Sequence, residues 1–210
     1  TTVELPFAGH PTLGSCHAWL THGGVPKLAG SVVQECGVGL VTVRAGGDRL
    51  AFAAPPRRRT GALDDETLAE ALRALGIGRD AVVDSAWIDN GPGWLGILLG
   101  SAEEVLALQP RDTALKIGVM GAHTAGSPFA YEVRGFFPEG TRLGEDPVTG
   151  SLNASAAQWL LETGRFRAPY LVQQGTALGR AGRIAIDLDH AGQVWVGGDT
   201  VTCVHGTVVL

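Results

Sequence analysis

The sequence has 210 residues, of which 45% are apolar and 18% are charged, and its net charge is −5. This composition is that of a globular protein with a sizeable core, and a pI near 5.6 argues against a nucleic-acid surface. No apolar run reaches the roughly 18 residues of a membrane helix, so we predict neither a nucleic-acid nor a membrane partner. The three cysteines and six histidines are scattered, which predicts reduced thiols, a cytoplasmic protein and no bound metal.

The first half of the chain predicts two helices among short strands. One helix is expected over residues 12–21, because the Gly23–Gly24 pair stops it. A second helix is expected over 66–75, with leucines on one face and Asp64 or Asp65 as its cap. The predicted strands cover residues 3–7, 31–35, 39–45 and 49–54, the last two joined by a Gly46–Gly47 hairpin turn.

The second half predicts two more helices among a larger number of strands. Ser101 and Glu104 have capping-box spacing and predict a short helix that ends near Leu108. A longer helix is expected over 151–162, where three alanines would let strands pass close by. The loop 123–128 could reach a binding cleft, but we interpret it as a plain surface turn. The predicted strands cover 81–88, 94–99, 115–121, 131–137, 170–174, 183–188, 193–197 and 200–209.

A six-residue pattern, polar-Pro-x-x-Gly-Ser, occurs twice in the chain. It runs from His10 to Ser15 and again from Asp146 to Ser151, an offset of 136 residues (146 − 10). Each copy lies between a predicted strand and an alanine-containing helix, so we interpret the pair as an internal duplication. Proline and Gly-Ser suit a helix start, where free N–H groups and the positive end of the helix dipole favour a bound anion.

Two helices related by a pseudo-twofold axis can point their N-termini into one cleft. His10 would then face Asp146 across a small substrate, and an imidazole opposite a carboxylate is suited to general acid–base catalysis. Two ordinary capped helices in a hydrophobic core would produce the same pattern, so the duplication alone does not decide in favour of a function.

Two longer stretches resemble the signatures of the phenazine-biosynthesis isomerase family, the PhzF-like proteins with the diaminopimelate epimerase fold. The first stretch is residues 4–14 and the second is residues 144–151, and the tail from Gln174 to Gly198 is also similar. The resemblance implies an α+β fold of two similar lobes, each a mixed β-sheet or barrel wrapped around a central helix, with the active site between them. It also implies isomerisation by proton transfer without a cofactor.

Carried onto this sequence, the resemblance makes His10 and Asp146 the catalytic pair, while Gly9, Gly150 and Ser151 match substrate-binding positions. The implied substrate is a small carboxylate, either a dihydro-aromatic acid or a hydroxy or amino acid. Racemases of this fold use two cysteines as acid and base, and neither signature here has a cysteine at its core. Isomerisation is therefore favoured over racemisation, in a protein expected to be a homodimer.

The first half of the chain is short compared with the second. Counting from Ala81, 65 residues precede the second copy of the pattern but nine precede the first, a difference of roughly 55 residues, enough for several strands. In the family, a catalytic Glu lies upstream of the Gly9-His10 pair, in a segment that this sequence does not contain. We therefore predict an incomplete first lobe, 1–80, which can also receive the last strand, and a second lobe, 81–210.

Two alternatives follow from this difference in length. If the upstream Glu is absent, the cleft keeps its anion-binding helix ends but lacks a group expected to take the proton. The chain would then be a catalytically impaired homologue that binds a small ligand or dimerises, and another chain or an upstream segment would cover the open sheet edge of the first lobe. A more distant alternative is an N-terminal Thr1 nucleophile, although nothing nearby resembles a processing site.

Overall fold

The computed structural model describes residues 5–45, 49–140 and 142–207, which form a mixed α+β fold. Its helices are α1 (Gly9–Thr21), α2 (Asp65–Leu75), α3 (Ala102–Ala107) and α4 (Gly150–Glu162). Its strands are β1 (Ser31–Cys36), β2 (Gly39–Arg44), β3 (Leu50–Ala53), β4 (Arg59–Gly61), β5 (Val82–Asp89), β6 (Trp94–Leu99), β7 (Lys116–Ala122), β8 (Tyr131–Glu139), β9 (Arg142–Asp146), β10 (Tyr170–Gln174), β11 (Gly182–Leu188) and β12 (Val194–Gly198).

The strands form one twelve-stranded sheet that runs through both halves of the chain. Its order is β1-β2-β3-β12-β11-β10-β8-β7-β6-β5-β4, with β9 paired to β8. Neighbours are antiparallel except for the pairs β6–β7 and β8–β10, which are parallel. Strand β12 lies between β11 and β3, so it connects the strands that follow α1 to those that follow α4.

The sequence prediction differs from the structure at several strands. Residues 5–7 form no strand, β4 and β9 lie where loops were expected, and residues 3–4 and the Gly46–Gly47 turn lie outside the described residues. The strand predicted at 200–209 is wrong over its described part, because residues 200–207 are not in a strand. Thr200 and Thr202 of this segment instead form hydrogen bonds with the His17 side chain of α1, at 3.2 and 2.8 Å.

Helix α4 is enclosed by the sheet, as its small residues predicted. Nine of its 13 residues are buried. Strand glycines permit this close packing: a Cβ on Gly118 would lie 2.3 Å from the Leu152 side chain, and one on Gly96 would lie 2.9 Å from Trp159. Alanines on the helix and glycines on the strands thus bring the sheet against α4 from several sides.

Helix α1 has the same length but far less cover. Four of its 13 residues are buried, and Trp19 is 44% exposed. Strand β1, which packs beside α1, ends the strand order and has no neighbour on its outer edge among the described residues. One side of α1 and one sheet edge are therefore uncovered in the same region.

Helices α2 and α3 pack on the opposite face of the sheet. Strand β6 is buried along its whole length, since Leu95 and Ile97 belong to the same hydrophobic cluster as the leucines of α2, while Trp94 and Leu98 join the core around α4. The predicted caps are confirmed: Asp64 accepts the Thr67 N–H of α2, and the Ser101 hydroxyl accepts the Glu104 N–H of α3. The division of the chain at residue 80 stays a prediction; β4, on its N-terminal side, pairs with β5 on its C-terminal side.

Within the described ranges, no helix combines the length and hydrophobicity needed to cross a bilayer.

Candidate active site

The N-termini of α1 and α4 meet at two glycines. A Cβ added to Gly9 would lie 2.7 Å from the Gly150 Cα, and one added to Gly150 would lie 2.6 Å from the Gly9 Cα. These distances are shorter than side chains tolerate, so glycine is required on both sides of the crossing. The first-turn N–H groups of a helix have no intrahelical acceptor, and here two sets of them lie side by side.

The two helix starts are related by an offset of 141 residues (150 − 9), which differs from the offset read in the sequence. In each helix the fourth residue donates a side-chain hydrogen bond to the cap carbonyl, Thr12 to Ala8 and Asn153 to Thr149, both at 2.9 Å. The position equivalent to His10 is therefore Ser151.

The predicted equivalence of His10 with Asp146 is wrong. Helix α1 already begins at Gly9, before the first proline of the pattern, whereas Asp146 ends β9 and a turn separates it from α4. Neither serine of the pattern caps a helix, because Ser15 lies in the middle of α1 and the cap of α4 is Thr149. Similar residue types therefore occupy different structural positions in the two copies of the pattern.

All five predicted site residues nevertheless line one cleft of about 670 Å³. They are Gly9, His10, Asp146, Gly150 and Ser151. The His10 side chain is exposed and Asp146 is half-buried, so a ligand in the cleft can reach both. The volume lies within the range of small-molecule sites. The structure thus brings the five residues together, while their roles stay predictions.

The Asp146 carboxylate is held by a short hydrogen-bond chain. The Thr149 hydroxyl donates to Asp146 Oδ2 at 2.9 Å, and Gln174 Nε2 donates to Thr149 Oγ1 at 3.0 Å. Because the Gln174 amide occupies Thr149 Oγ1 as a donor, the hydroxyl proton points to the carboxylate. Oδ1 of Asp146 has no hydrogen-bond partner among the described residues, so this oxygen can face a ligand.

Gln174 also links β10 to the start of α4. Its side-chain carbonyl accepts the Thr149 N–H at 2.9 Å and the Asn153 amide at 2.7 Å, and its Nε2 donates to the Asp146 carbonyl at 3.0 Å. Gln174 is fully buried. Both ends of its amide are used, so the turn that carries Asp146 is anchored to the sheet.

We expect Thr149→Val to lower the free energy of unfolding by about 1–3 kcal/mol, because it removes the donor to Asp146 and leaves the buried Gln174 amide without one acceptor. Urea denaturation followed by circular dichroism measures the change. Thr149→Ser keeps the hydroxyl and serves as the matched control. Equal losses in the two variants would show that the methyl group matters and the hydrogen bonds do not.

The Ser151 hydroxyl is oriented by a buried indole. Trp94 Nε1 donates to Ser151 Oγ at 3.0 Å, and an indole N–H can only donate. Ser151 Oγ therefore accepts this bond, and its own proton is available to a ligand in the cleft.

Two charged residues of the cleft were not among the predicted site residues. Lys116 begins β7, and its Nζ donates to the Pro92 carbonyl at 2.7 Å. Glu139 ends β8 at the cleft rim. The available sequence signal was weak: Lys116 is one of two lysines in the chain and directly precedes an apolar strand.

The loop 123–128 does not line the cleft, and the prediction of a surface turn is confirmed. His123 Nε2 instead lies 3.5 Å from a carboxylate oxygen of Glu132, which is fully buried. Burial raises the pKa of the Glu132 carboxyl. No group of three or more potential metal-ligating side chains occurs in the part of the chain that the structure describes.

His10 borders a second cavity of about 810 Å³, which shares Gly9, His10 and Gly150 with the cleft. Arg183 and residues 199–204 line that cavity. Asp146 and Ser151 line the first cleft and do not line the second cavity. His10 and Asp146 therefore share the 670 Å³ cleft and not the second cavity.

Known proteins are similar to this chain in sequence and in fold. Residues 1–206 match the family described as phenazine biosynthesis-like protein, PhzC-PhzF. "Antisense-enhancing sequence 1" of Schizosaccharomyces pombe is 30% identical, covering 97% of this chain and 75% of that protein. "Trans-2,3-dihydro-3-hydroxyanthranilate isomerase" of Pseudomonas fluorescens is 31% identical, covering 99% and 76%.

A solved structure of a phenazine biosynthesis PhzC/PhzF protein from Clostridium difficile has the same fold. It superposes with a TM-score of 0.70 at 20% identity, covering 99% of this chain and 74% of that one. The family match extends over nearly all of the sequence and includes both helix starts that form the cleft. The chain therefore belongs to the phenazine biosynthesis-like, or PhzC-PhzF, family.

Proposed function

We propose that this protein is an isomerase that moves a proton on a small carboxylated substrate in the cleft between the N-termini of α1 and α4, without a cofactor. The observation that carries the proposal is the convergence of His10, Asp146 and Ser151 with two helix N-termini on one cleft. The name of the Pseudomonas fluorescens relative, an isomerase of a cyclic amino carboxylate, supports the same reaction class.

In this reaction the substrate carboxylate binds at the helix ends, where the first-turn N–H groups and the Ser151 hydroxyl can donate to it. Asp146 Oδ1 takes a proton from a substrate carbon, the role that the family resemblance gives to the upstream Glu, and the double-bond electrons shift along the substrate. His10 delivers a proton at a different carbon. No atom is gained or lost overall, and His10 and Asp146 return to their starting states through proton exchange with solvent.

Proton exchange in deuterated buffer tests this proposal on the protein in its full natural length. Dihydro-aromatic acids, hydroxy acids and amino acids are incubated with the protein, and mass spectrometry follows deuterium in each compound. We expect at least one carboxylic acid to gain deuterium at carbon and to isomerise. Ligand-induced thermal stabilisation without any exchange would contradict catalysis and favour the alternative, a ligand-binding homologue.

We also propose that the protein is a cytoplasmic homodimer and that its two lobes divide near residue 80. The uncovered side of α1 and the free edge of β1 support the packing of a further polypeptide segment in this region, from a second copy or from an upstream stretch of the same chain. Sedimentation equilibrium distinguishes the two sources, because a monomeric mass would contradict the second copy.

A further inference from the structure

Lys116 lies beside the start of α4 because of the pairing of two strands. It pairs with Trp94 in the parallel β6–β7 ladder, and residues in register on adjacent strands share a face. The Trp94 indole reaches Ser151 on that face, and Gly118, two residues after Lys116, packs against Leu152 of α4. The Lys116 side chain is therefore on the α4 side of the sheet, where it lines the cleft.

The Lys116 ammonium is held in place but is not neutralised. One of its three donors goes to the Pro92 carbonyl. Among the residues that the structure describes, no carboxylate lies within 4.0 Å of its Nζ. A half-buried cation with unused donors is stabilised by an anion, and the cleft is open to receive one.

We propose that Lys116 binds the carboxylate of the substrate together with Ser151 and the first turn of α4, and thereby makes the cleft selective for anions. The inference rests on the function proposed for this site. It adds a specificity-determining residue and an orientation: the carboxylate lies at the Lys116 end, and the reacting carbons face His10 and Asp146.

Binding of a matched ligand pair tests the role of Lys116. Anthranilate carries a carboxylate, whereas 2-aminobenzamide has nearly the same shape without the charge. By calorimetry we expect Lys116→Met to weaken anthranilate binding about 10- to 100-fold and to change 2-aminobenzamide binding less than about 2-fold. Lys27→Met, at the exposed second lysine, is the matched control and should leave both affinities unchanged.

A second measurement avoids any effect of the substitution on folding. In the unmodified protein, anthranilate should slow the acetylation of Lys116 by acetic anhydride and should not protect Lys27, as measured by peptide mass spectrometry. The inference is wrong if Lys116 is not protected, if Lys116→Met weakens both ligands equally, or if the unmodified protein does not prefer anthranilate to the amide. Carboxylate selectivity that depends on Lys116, without deuterium exchange into any acid, would contradict the isomerase proposal alone.

Discussion

Asp146→Asn and His10→Ala are each expected to lower the rate of substrate proton exchange about 10²- to 10⁴-fold. Asparagine keeps the shape of Asp146 and can still accept the Thr149 hydroxyl, but its neutral side chain cannot take a proton from carbon. Alanine at position 10 removes the imidazole from the cleft. The rate of deuterium incorporation into the substrate found by the exchange screen measures both effects.

Two control variants separate this loss from a general loss of structure. His190→Ala removes a histidine from an exposed hairpin, and Asp80→Asn neutralises an exposed carboxylate; neither residue lines the cleft. We expect both controls to exchange at the rate of the unmodified protein. His10 is exposed, so its replacement should leave the melting temperature nearly unchanged. Exchange at an undiminished rate in both site variants would contradict the acid–base roles of His10 and Asp146.

Gly9→Ala and Gly150→Ala are expected to separate the two helix ends and to destabilise the protein by about 1–3 kcal/mol each. Each new Cβ would meet backbone atoms of the opposite helix, at 2.7 and 2.6 Å, so no side-chain rotation can relieve the contact. The helices must move apart, and the cleft between them changes shape. Urea denaturation measures the free energy of unfolding. Calorimetry with anthranilate measures ligand binding, and we expect neither variant to bind anthranilate.

Gly14→Ala is the matched control within α1. A Cβ at this exposed position meets no atom within 4 Å, and alanine favours a helix over glycine by about 1 kcal/mol. We therefore expect a gain in stability with unchanged ligand binding, opposite in sign to the effect at Gly9. If Gly9→Ala were as stable as the Gly14 variant, the tight contact of the two helix ends would not be required for the fold.

Local sequence patterns predicted most of the elements. The Asp64 and Ser101 caps, the glycines after the helices and the apolar run of β6 each act within a few neighbouring residues, so they could be identified without the fold. The two signatures also identified five residues that the structure places on one cleft. These residues are adjacent in sequence within two short stretches, which is why a linear comparison could find them.

Contacts between distant segments were decided by the tertiary structure alone. The helix starts correspond as Gly9 with Gly150, and the apparent repeat of His10 with Asp146 is misleading, because only close backbone packing defines the equivalence. Gln174 orders Asp146 from β10, and Lys116 reaches the cleft from β7, through strand pairings that leave no local sequence pattern. The sequence by itself determined the helices, most strands and the reactive side chains. The sheet order depended on long-range pairing between complementary strand faces, which no short window of sequence contains. This order also decided that Gln174 and Lys116 lie beside those reactive side chains.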